Sequence, residues 1–244
     1  MKAVVLAGGK GTRLAPYTRV FPKPMLPIGD KAILEILLHQ MRRAGIDDVT
    51  LTVGHMAGLM RAFFQDGSHL GIKIRYSYEE HPLGTAGPLA FVEGLTETFM
   101  VANGDVLSTL DLTKLITFHK ENHGVATIAT HHRKVHIDLG VIEVNGDHTI
   151  TDYIEKPTIP YQVSMGIYVF EPKALEYIPR GNYMDFPDLI KLLLKNGERV
   201  VAYPFEGYWQ DLGRPDDYEQ ANQNYELMQA QFLPEEELWT GEYH

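Results

Sequence analysis

The chain has 244 residues, with 22 Lys and Arg against 32 Asp and Glu, a formal net charge of −10 and no cysteine. This length fits one large α/β domain, and the missing cysteines exclude disulfides and thiolate metal sites. The acidic balance argues against nucleic acid and anionic membranes as partners. The first apolar run is too short for a signal peptide or a membrane span, so we expect a cytoplasmic protein.

The first motif is a glycine-rich turn that follows a short apolar run. Residues 3–6 predict a buried parallel strand, and Gly8, Gly9 and Gly11 come directly after it. The backbone N–H groups of such a turn point into one concavity, where they bind phosphate oxygens. The Walker pattern is absent, and the third glycine of a dinucleotide fingerprint is replaced by Leu14. These patterns exclude an ordinary P-loop and argue against a Rossmann dehydrogenase.

Two cations follow this turn. Arg13 comes two residues after its last glycine, and Lys23 stands between Pro22 and Pro24. A guanidinium clamps a phosphoryl group through two N–H donors, whereas a lysine brings a compact point charge. The glycines alone are equally consistent with a flexible turn that binds nothing, and the two cations argue against that interpretation.

Alternating strand and helix patterns predict a parallel sheet with right-handed crossovers in the first half of the chain. Asp30 is the expected cap of the first helix. The second helix, residues 56–64, is expected to turn Met60, Phe63 and Phe64 into the core. Further strands are expected at residues 49–53, 72–78 and 99–102.

A second glycine turn, residues 83–88, follows the strand predicted at residues 72–78 and precedes a predicted helix. Because open α/β sheets bind ligands beyond the carboxyl ends of their strands, we expect both glycine turns to border one crevice. Gly84 would then let a base or ribose lie against the backbone, and a simple helix-entry turn is the alternative. Glu80, just upstream, is a candidate acceptor for the N1–H and amino group of guanine, unless it faces solvent.

Two isolated aspartates are candidate ligands of a divalent cation. Asp105 follows the fourth predicted strand, and Asp211 lies in the segment Trp-Gln-Asp-Leu-Gly at 209–213. An acidic protein that binds phosphates needs such a cation, and Mg²⁺ prefers carboxylate oxygens. One carboxylate alone would be weak evidence, so we expect the two to share one site.

The second half of the chain has the periodicity of strands from residue 125 onward, which predicts a β-rich appendage. Glu155 and Lys156 close one of its strands, and this pair suits a sugar hydroxyl and a sugar phosphate, with a surface ion pair as the alternative. His119 and His123 lie one turn apart on a predicted helix, where we expect a solvated face because no third metal ligand is near. The same interpretation applies to His131, His132 and His136.

Together these motifs resemble those of the sugar-1-phosphate nucleotidyltransferases, in the right order from about residue 2 to residue 224. The matching segments are 8–14, 21–24, 83–87, 104–105, 155–157 and 209–213. The resemblance implies an α/β fold, with a Rossmann-like, mixed and mostly parallel central sheet flanked by helices, and with a β-rich sugar-binding appendage. One domain, 1–244, would comprise a nucleotide-binding half at 1–110, a sugar-phosphate-binding half at 111–226 and a C-terminal tail at 227–244.

The implied reaction joins an NTP and a sugar 1-phosphate into an NDP-sugar and pyrophosphate, with Mg²⁺ as cofactor. Residues 83–88 look most like those of mannose-1-phosphate guanylyltransferases, which favours GTP with mannose 1-phosphate or a related hexose or heptose 1-phosphate. A dTTP- or UTP-dependent glucose-1-phosphate nucleotidyltransferase is the alternative. Ser164-Met165-Gly166 departs from the family's Asn-Ala-Gly, which leaves the identity of the sugar open. A regulatory module that binds nucleotide sugars without turnover is the alternative of another class.

The resemblance also assigns site residues position by position. Arg13, Lys23 and Asp105 are the catalytic residues, and Asp105 and Asp211 hold the metal. The nucleotide-binding residues are Leu6, Ala7, Gly8, Gly9, Gly11, Thr12, Glu80, Pro82, Gly84 and Thr85. The sugar-phosphate-binding residues are Gly140, Glu155, Lys156 and Gly166. The chain ends without the left-handed β-helix of some family members, so we expect no acyltransferase activity, and the acidic tail is either disordered or the contact of a homodimer.

Overall fold

The structure, a computed structural model, describes residues 1–79 and 81–233. Its strands are β1 (Lys2–Leu6), β2 (Pro27–Ile28), β3 (Lys31–Ala32), β4 (Asp48–Val53), β5 (Lys73–Tyr78), β6 (Phe99–Asn103), β7 (Val106–Ser108), β8 (Ala126–His136), β9 (Val141–Val144), β10 (Ile150–Ile154), β11 (Thr158–Phe170), β12 (Val200–Phe205) and β13 (Trp209–Asp211). Its α-helices are α1 (Ile33–Arg43), α2 (Ala57–Phe64), α3 (Leu112–Asn122), α4 (Phe186–Lys195) and α5 (Pro215–Phe232).

One mixed sheet of seven strands, in the order β12-β8-β11-β6-β1-β4-β5, forms the centre of the fold. The strand β1 pairs in parallel with β4 and β6, and β4 pairs in parallel with β5. Only β11 runs against its neighbours β6 and β8, while β12 is parallel to β8. The predicted fold class, a mixed and mostly parallel sheet flanked by helices, is confirmed. The strands β1, β4 and β6 therefore end at the same edge.

Helices cover both faces of the central strands, which explains why β1 reads as a continuous apolar run. Val5 packs into the core beneath α1, α2 and α3, whereas Val4 faces the opposite side with α4, and neither side chain is exposed. Successive side chains of a strand point to opposite faces, so a strand buried on both sides needs apolar residues at every position. The end of β1 is fixed by this packing.

The second half adds the β-rich part of the fold. The strands β9 and β10 pair as an antiparallel hairpin, as the turn at residues 145–147 predicts. They stand outside the central sheet, and every residue of β10 is exposed. The strands β8 and β11 are long and pair from Thr158–His136 to Phe170–Ala126, with a register shift between Ser164 and Tyr168. This long ribbon carries the hairpin away from the core.

Several local predictions are wrong. The helix α1 is preceded by Ala32, so Asp30 does not cap it. Phe63 is 47% exposed and lies edge-on to the buried Phe64, since a helix of only eight residues covers the sheet with a narrow face. The helix expected after the second glycine turn is a single 3₁₀ segment, Gly87–Phe91.

His119 is also placed differently from the prediction of a solvated face. Its side chain is buried, because α3 packs onto β8 and β11. The ring bonds with Thr127 Oγ1 at 2.7 Å through Nδ1 and with Glu171 Oε1 at 3.0 Å through Nε2. These bonds satisfy both ring nitrogens, so the residue is structural.

The last helix, α5, returns to the centre of the molecule. Its residues Tyr225 and Phe232 are buried, and Gln40 Nε2 donates to the carbonyl oxygen of Phe232 at 3.3 Å. The boundary expected at residue 227 thus falls within a packed helix, and residues 234–244 of the expected tail lie outside the described residues. Within residues 1–79 and 81–233, no helix combines the length and the apolarity needed to cross a membrane.

Candidate active site

A cavity of about 460 Å³ lies at the edge where β1, β4 and β6 end. The sequence-predicted residues that line it are Leu6, Ala7, Gly8, Gly9, Gly11, Thr12, Arg13, Lys23, Pro82, Gly84, Thr85 and Asp105. The lining residues that sequence reasoning did not assign are Leu14, Pro24, Thr52, Glu79, Asn103, Tyr183, Asp185 and Gly213. Both glycine turns thus border one cavity, and the predicted Glu80 lies outside the described residues.

The first glycine turn packs directly on the segment that carries Lys23. Gly11 has a left-handed backbone (φ +60), and a Cβ there would lie 2.9 Å from Thr18 Cγ2 and 3.1 Å from Lys23 Cβ. Thr18 Oγ1 also donates to the carbonyl oxygen of Gly11 at 2.8 Å. Glycine is required at this position both by the conformation and by the close approach, which brings the lysine to the turn.

Lys23 lies between the two aspartates that the sequence singles out. Its ammonium is 2.5 Å from Asp105 Oδ2 and 3.9 Å from Asp211 Oδ1. Asp105 follows β6, and β13 pairs antiparallel with β7 so that Asp211 stands opposite Val106. This short two-stranded ribbon explains how carboxylates 106 positions apart in sequence (211 − 105) face one cation.

The chemistry of this cluster fits a divalent cation. Both carboxylates already face one positive charge, and Asp211 keeps about half of its side chain exposed. Among residues 1–79 and 81–233, no group of three or more His, Asp or Glu side chains is placed to hold a metal. Proteins usually bind Mg²⁺ with one or two carboxylates and leave its other positions to water and substrate phosphates. Asp105 and Asp211 match that pattern.

Glu79 is a cavity residue that sequence reasoning missed by one position. It follows β5, and its backbone N–H donates to Val53 O at 3.0 Å. A side chain at Gly8 would lie 2.9 Å from Glu79 Oε1, so the carboxylate reaches the first glycine turn. Burial raises the pKa of Glu79. The alternation of the strand could have revealed it, since Tyr78 points to solvent and its successor points inward.

Asp185 and Tyr183 are two further polar residues of the cavity that sequence reasoning did not assign. The Asp185 carboxylate accepts from Thr85 N at 2.9 Å, from Thr85 Oγ1 at 3.1 Å and from the Tyr183 hydroxyl at 2.7 Å. Burial on its own would raise the pKa of Asp185, but these hydrogen bonds outweigh it and lower the pKa. No local pattern indicates this contact, because 100 positions separate Thr85 from its partner.

The four residues predicted to bind the sugar phosphate are not gathered at this cavity. Glu155 and Lys156 are exposed at the connection between β10 and β11, and Gly140 precedes β9. A side chain at Gly166 would lie 2.5 Å from Asn103 Nδ2, so this glycine packs closely against a residue that lines the cavity. None of the four lines the main cavity.

A second cavity of about 400 Å³ adjoins the first, and Arg13 and Gly213 border both. Its lining residues are Arg13, His131, His132, Arg133, Lys134, Trp209, Gln210, Asp211, Gly213, Arg214 and Asp217. Two of the three histidines predicted to lie on a solvated face, His131 and His132, thus line a cavity, together with Arg133 and Lys134. In a protein of net charge −10, such a concentration of cations favours an anion at this edge.

The chain is similar in sequence to known nucleotidyl transferases. The model of the nucleotidyl transferase family matches residues 2–227. A mannose-1-phosphate guanylyltransferase of Mycobacterium tuberculosis is 39% identical over 222 residues, which cover 88% of this chain and 62% of the relative. A UTP–glucose-1-phosphate uridylyltransferase of Synechocystis is 36% identical over 241 residues, which cover 91% of this chain and 62% of that relative.

The fold also matches solved structures. A glucose-1-phosphate thymidylyltransferase candidate from Bacillus anthracis, solved with sucrose, superimposes with a TM-score of 0.74 at 25% identity. The match covers 92% of this chain and 94% of that structure. The chain spans 62% of the length of the two relatives found by sequence, so their names describe longer proteins. Because the family model covers residues 2–227 of 244, the chain belongs to the nucleotidyl transferase family, among relatives named as sugar-1-phosphate nucleotidyltransferases.

Proposed function

We propose that the protein transfers a nucleotidyl group from an NTP to a sugar 1-phosphate, forming an NDP-sugar and pyrophosphate. The observation that carries the proposal is the placement of Lys23 beside Asp105 and Asp211, next to a glycine turn that ends at Arg13. Such a site holds phosphates by position and charge, which is what phosphoryl chemistry requires. The names of both sequence relatives support this reaction class.

In this reaction a phosphate oxygen of the sugar attacks the α-phosphorus of the NTP. The new oxygen–phosphorus bond forms as the bond to the β-phosphate oxygen breaks, and the electron pair leaves with pyrophosphate. A sugar phosphate loses its second proton near pH 6, so the nucleophile needs no general base. Arg13 and Lys23 stabilise the negative charge that gathers on the equatorial oxygens.

We propose Mg²⁺ as the cofactor, held by Asp105 and Asp211. When bound, the ion neutralises phosphate charge and orients the triphosphate. The donor set supports this assignment, since two carboxylates face Lys23, which lines the cavity. Lys23 would then share its carboxylates with the ion and direct its remaining donors to phosphate oxygens.

We propose GTP as the preferred nucleotide, and Glu79 as a residue that reads its base. Glu79 lines the same cavity as Gly84, with its carboxylate near Gly8, and that carboxylate can accept from the N1–H and the amino group of guanine. Uracil and thymine offer one matching N–H, so they leave a partly buried acceptor unpaired, at a cost of about 1–3 kcal/mol. The guanylyltransferase relative supports this choice, and the uridylyltransferase relative supports the pyrimidine alternative.

The sugar-phosphate contacts proposed here are Glu155 and Lys156, supported by their motif and by the backbone. Lys156 has a left-handed conformation, φ +45, which a residue with a side chain adopts only at some cost. Such conformations concentrate at functional positions. A hexose or heptose 1-phosphate, with mannose 1-phosphate first, is the proposed substrate.

The experiment is a matrix of GTP, ATP, CTP, UTP and dTTP against a panel of sugar 1-phosphates, read by pyrophosphate release. We expect the highest kcat/KM with GTP and mannose 1-phosphate, and a smaller preference for GTP in Glu79→Gln. A pyrimidine nucleotide as the best substrate would contradict the choice of base and leave the reaction class standing. Nucleotide binding without any release of pyrophosphate would instead favour the regulatory module.

A further inference from the structure

Two loops from opposite halves of the chain are joined at the wall of the cavity. The backbone N–H of Met184 donates to Leu83 O at 2.9 Å, and the N–H groups of Ala86 and Gly87 donate to Met184 O at 2.9 Å and 3.0 Å. Residues 83–87 carry the second glycine turn, and residues 182–186 lead into α4. We call these ten residues the loop clamp.

The side chains of Asp185 and Thr85 form hydrogen bonds across to the opposite loop of the loop clamp. Asp185 stands at the N-cap position of α4, where an aspartate normally accepts from the amides of its own helix. Here it makes no capping bond, and its carboxylate accepts from the backbone and hydroxyl of Thr85 instead. Thr85 Oγ1 in turn accepts from Phe186 N at 2.9 Å, the first amide of the helix. Each loop thus satisfies the polar groups of the other.

The backbones of the loop clamp approach too closely for side chains to lie between them. Gly84 has a left-handed conformation (φ +80), and a side chain there would overlap the carbonyl oxygen of Met184. A Cβ at Gly87 would lie 2.9 Å from Asn182 O. The position of the second glycine turn is therefore set by residues 182–186 rather than by the strand that precedes it.

The wall that the loop clamp builds suits the nucleoside part of a nucleotide. Gly84, Thr85, Tyr183 and Asp185 of the loop clamp line the cavity next to Pro82, and they bring a carboxylate, an aromatic ring and a hydroxyl, but no cation. The cations of the cavity lining belong to the first glycine turn and the lysine segment after it. Phosphates therefore bind at the first turn, and the base or ribose is left to the loop clamp.

We propose that Asp185 is a positioning residue that holds the wall formed by Gly84 and Thr85 in the shape that selects the nucleotide. This inference rests on the proposed function and deepens it. Recognition of the base by the first half of the chain then depends on a carboxylate from the second half. Asp185 acts through Thr85 and has no part in the transfer itself.

The test uses graded variants of the loop clamp. Asp185→Ala removes all three accepted hydrogen bonds, and we expect it to weaken GTP binding about tenfold or more. Asp185→Asn keeps an acceptor toward Thr85, so we expect a smaller loss. Thr85→Val removes the hydroxyl from the other side, and the double variant Thr85→Val/Asp185→Ala should bind scarcely worse than Asp185→Ala alone. Asp188→Asn, an exposed aspartate in the first turn of α4, is the matched control.

Two measurements separate positioning from a general structural role. Calorimetry without sugar phosphate gives the affinity for GTP and UTP, and steady-state kinetics gives the KM for the sugar 1-phosphate. We expect Asp185→Ala to reduce the preference for one nucleotide over the other, with the sugar 1-phosphate KM unchanged and Asp188→Asn like wild type. Unchanged nucleotide affinity and preference in Asp185→Ala would overturn the inference. Equal losses for nucleotide and sugar would overturn it too.

The outcome for wild type distinguishes this inference from the proposed function. If wild type binds no nucleotide, the proposed function fails. If wild type binds and selects a nucleotide and the three loop-clamp variants behave like it, only the role of Asp185 fails. Should Asp185→Ala not fold, as shown by loss of its cooperative thermal transition, the comparison of Asp185→Asn and Thr85→Val with Asp188→Asn decides the question in the same way.

Discussion

The first glycine turn and the β9–β10 hairpin were both assigned to substrates from sequence, and they are built in opposite ways. The turn follows β1, where Val4 and Val5 are fully buried between two helical layers. The hairpin stands outside the central sheet, and Ile150 and Tyr153 are each 59% exposed. A motif that follows a buried strand is fixed by the core, whereas a motif on an exposed hairpin depends on local contacts. Substitutions in the two regions should therefore have different consequences.

The largest loss of activity is expected at Asp105 and Asp211, the proposed metal ligands. Asp105→Asn and Asp211→Asn should each lower kcat by more than about 10³-fold, because a single carboxylate holds Mg²⁺ poorly. The double variant should be scarcely worse than either single variant, since the two act as a unit. Steady-state pyrophosphate release measures all three, with the fold checked by circular dichroism. Losses that multiply in the double variant, or full activity in excess EDTA, would argue against a shared ion.

Arg13→Ala also tests the region of the first glycine turn, through a residue that is not one of the proposed metal ligands. We expect kcat to fall by about 10²–10³-fold, which is typical of removing one donor that stabilises transition-state charge. The KM for the NTP should change much less. Arg43→Ala is the control, since it removes an equal charge from an exposed position in the last turn of α1. A near-normal kcat in Arg13→Ala would contradict the proposed role.

The free energy of unfolding compares the buried central strands with the exposed β9–β10 hairpin directly. Leu51, in β4 beside β1, is fully buried, so Leu51→Ala should lower the free energy of unfolding by about 2–5 kcal/mol. Ile150→Ala in the hairpin should change it by less than about 0.5 kcal/mol, because the side chain is mostly exposed. Urea titrations followed by circular dichroism give both values. Similar losses in the two variants would mean that the hairpin is part of the core.

The smallest effects are pH-dependent and have opposite signs at two cavity carboxylates. Burial raises the pKa of Glu79, so its contribution to stability is present below its unfolded pKa of about 4.3 and is lost as pH rises through the folded pKa. Hydrogen bonds lower the pKa of Asp185 against the effect of burial. Its contribution is present above an unfolded pKa of about 3.9 and is lost as pH falls through the folded pKa.

Melting temperatures of Glu79→Gln and Asp185→Asn, recorded from pH 3 to pH 8, test this difference. Relative to wild type, Glu79→Gln should become more favourable as pH rises through the mildly acidic range. Asp185→Asn should be least favourable near neutral pH and approach wild type in acid. Parallel curves for the two variants would show that the carboxylates share one environment.

The sequence by itself determined the features that depend on short segments. The continuous apolar run of β1 indicated a strand buried on both faces, and the glycines after it indicated a phosphate-binding turn. The order of the motifs identified the family and the fold class. This was possible because each motif occupies only a few consecutive residues and can be recognised in the sequence alone. Hydrophobic periodicity was less informative for α2, where Phe63 matched the helical period and yet faces solvent.

Only the tertiary structure decided which distant residues meet. The pairing of β7 with β13 brings Asp211 to Asp105, and the loop clamp brings Asp185 to Thr85. The packing of α3 on the sheet buries His119. Such contacts follow from the register and crossing of elements far apart in the chain, and local patterns carry no information about them.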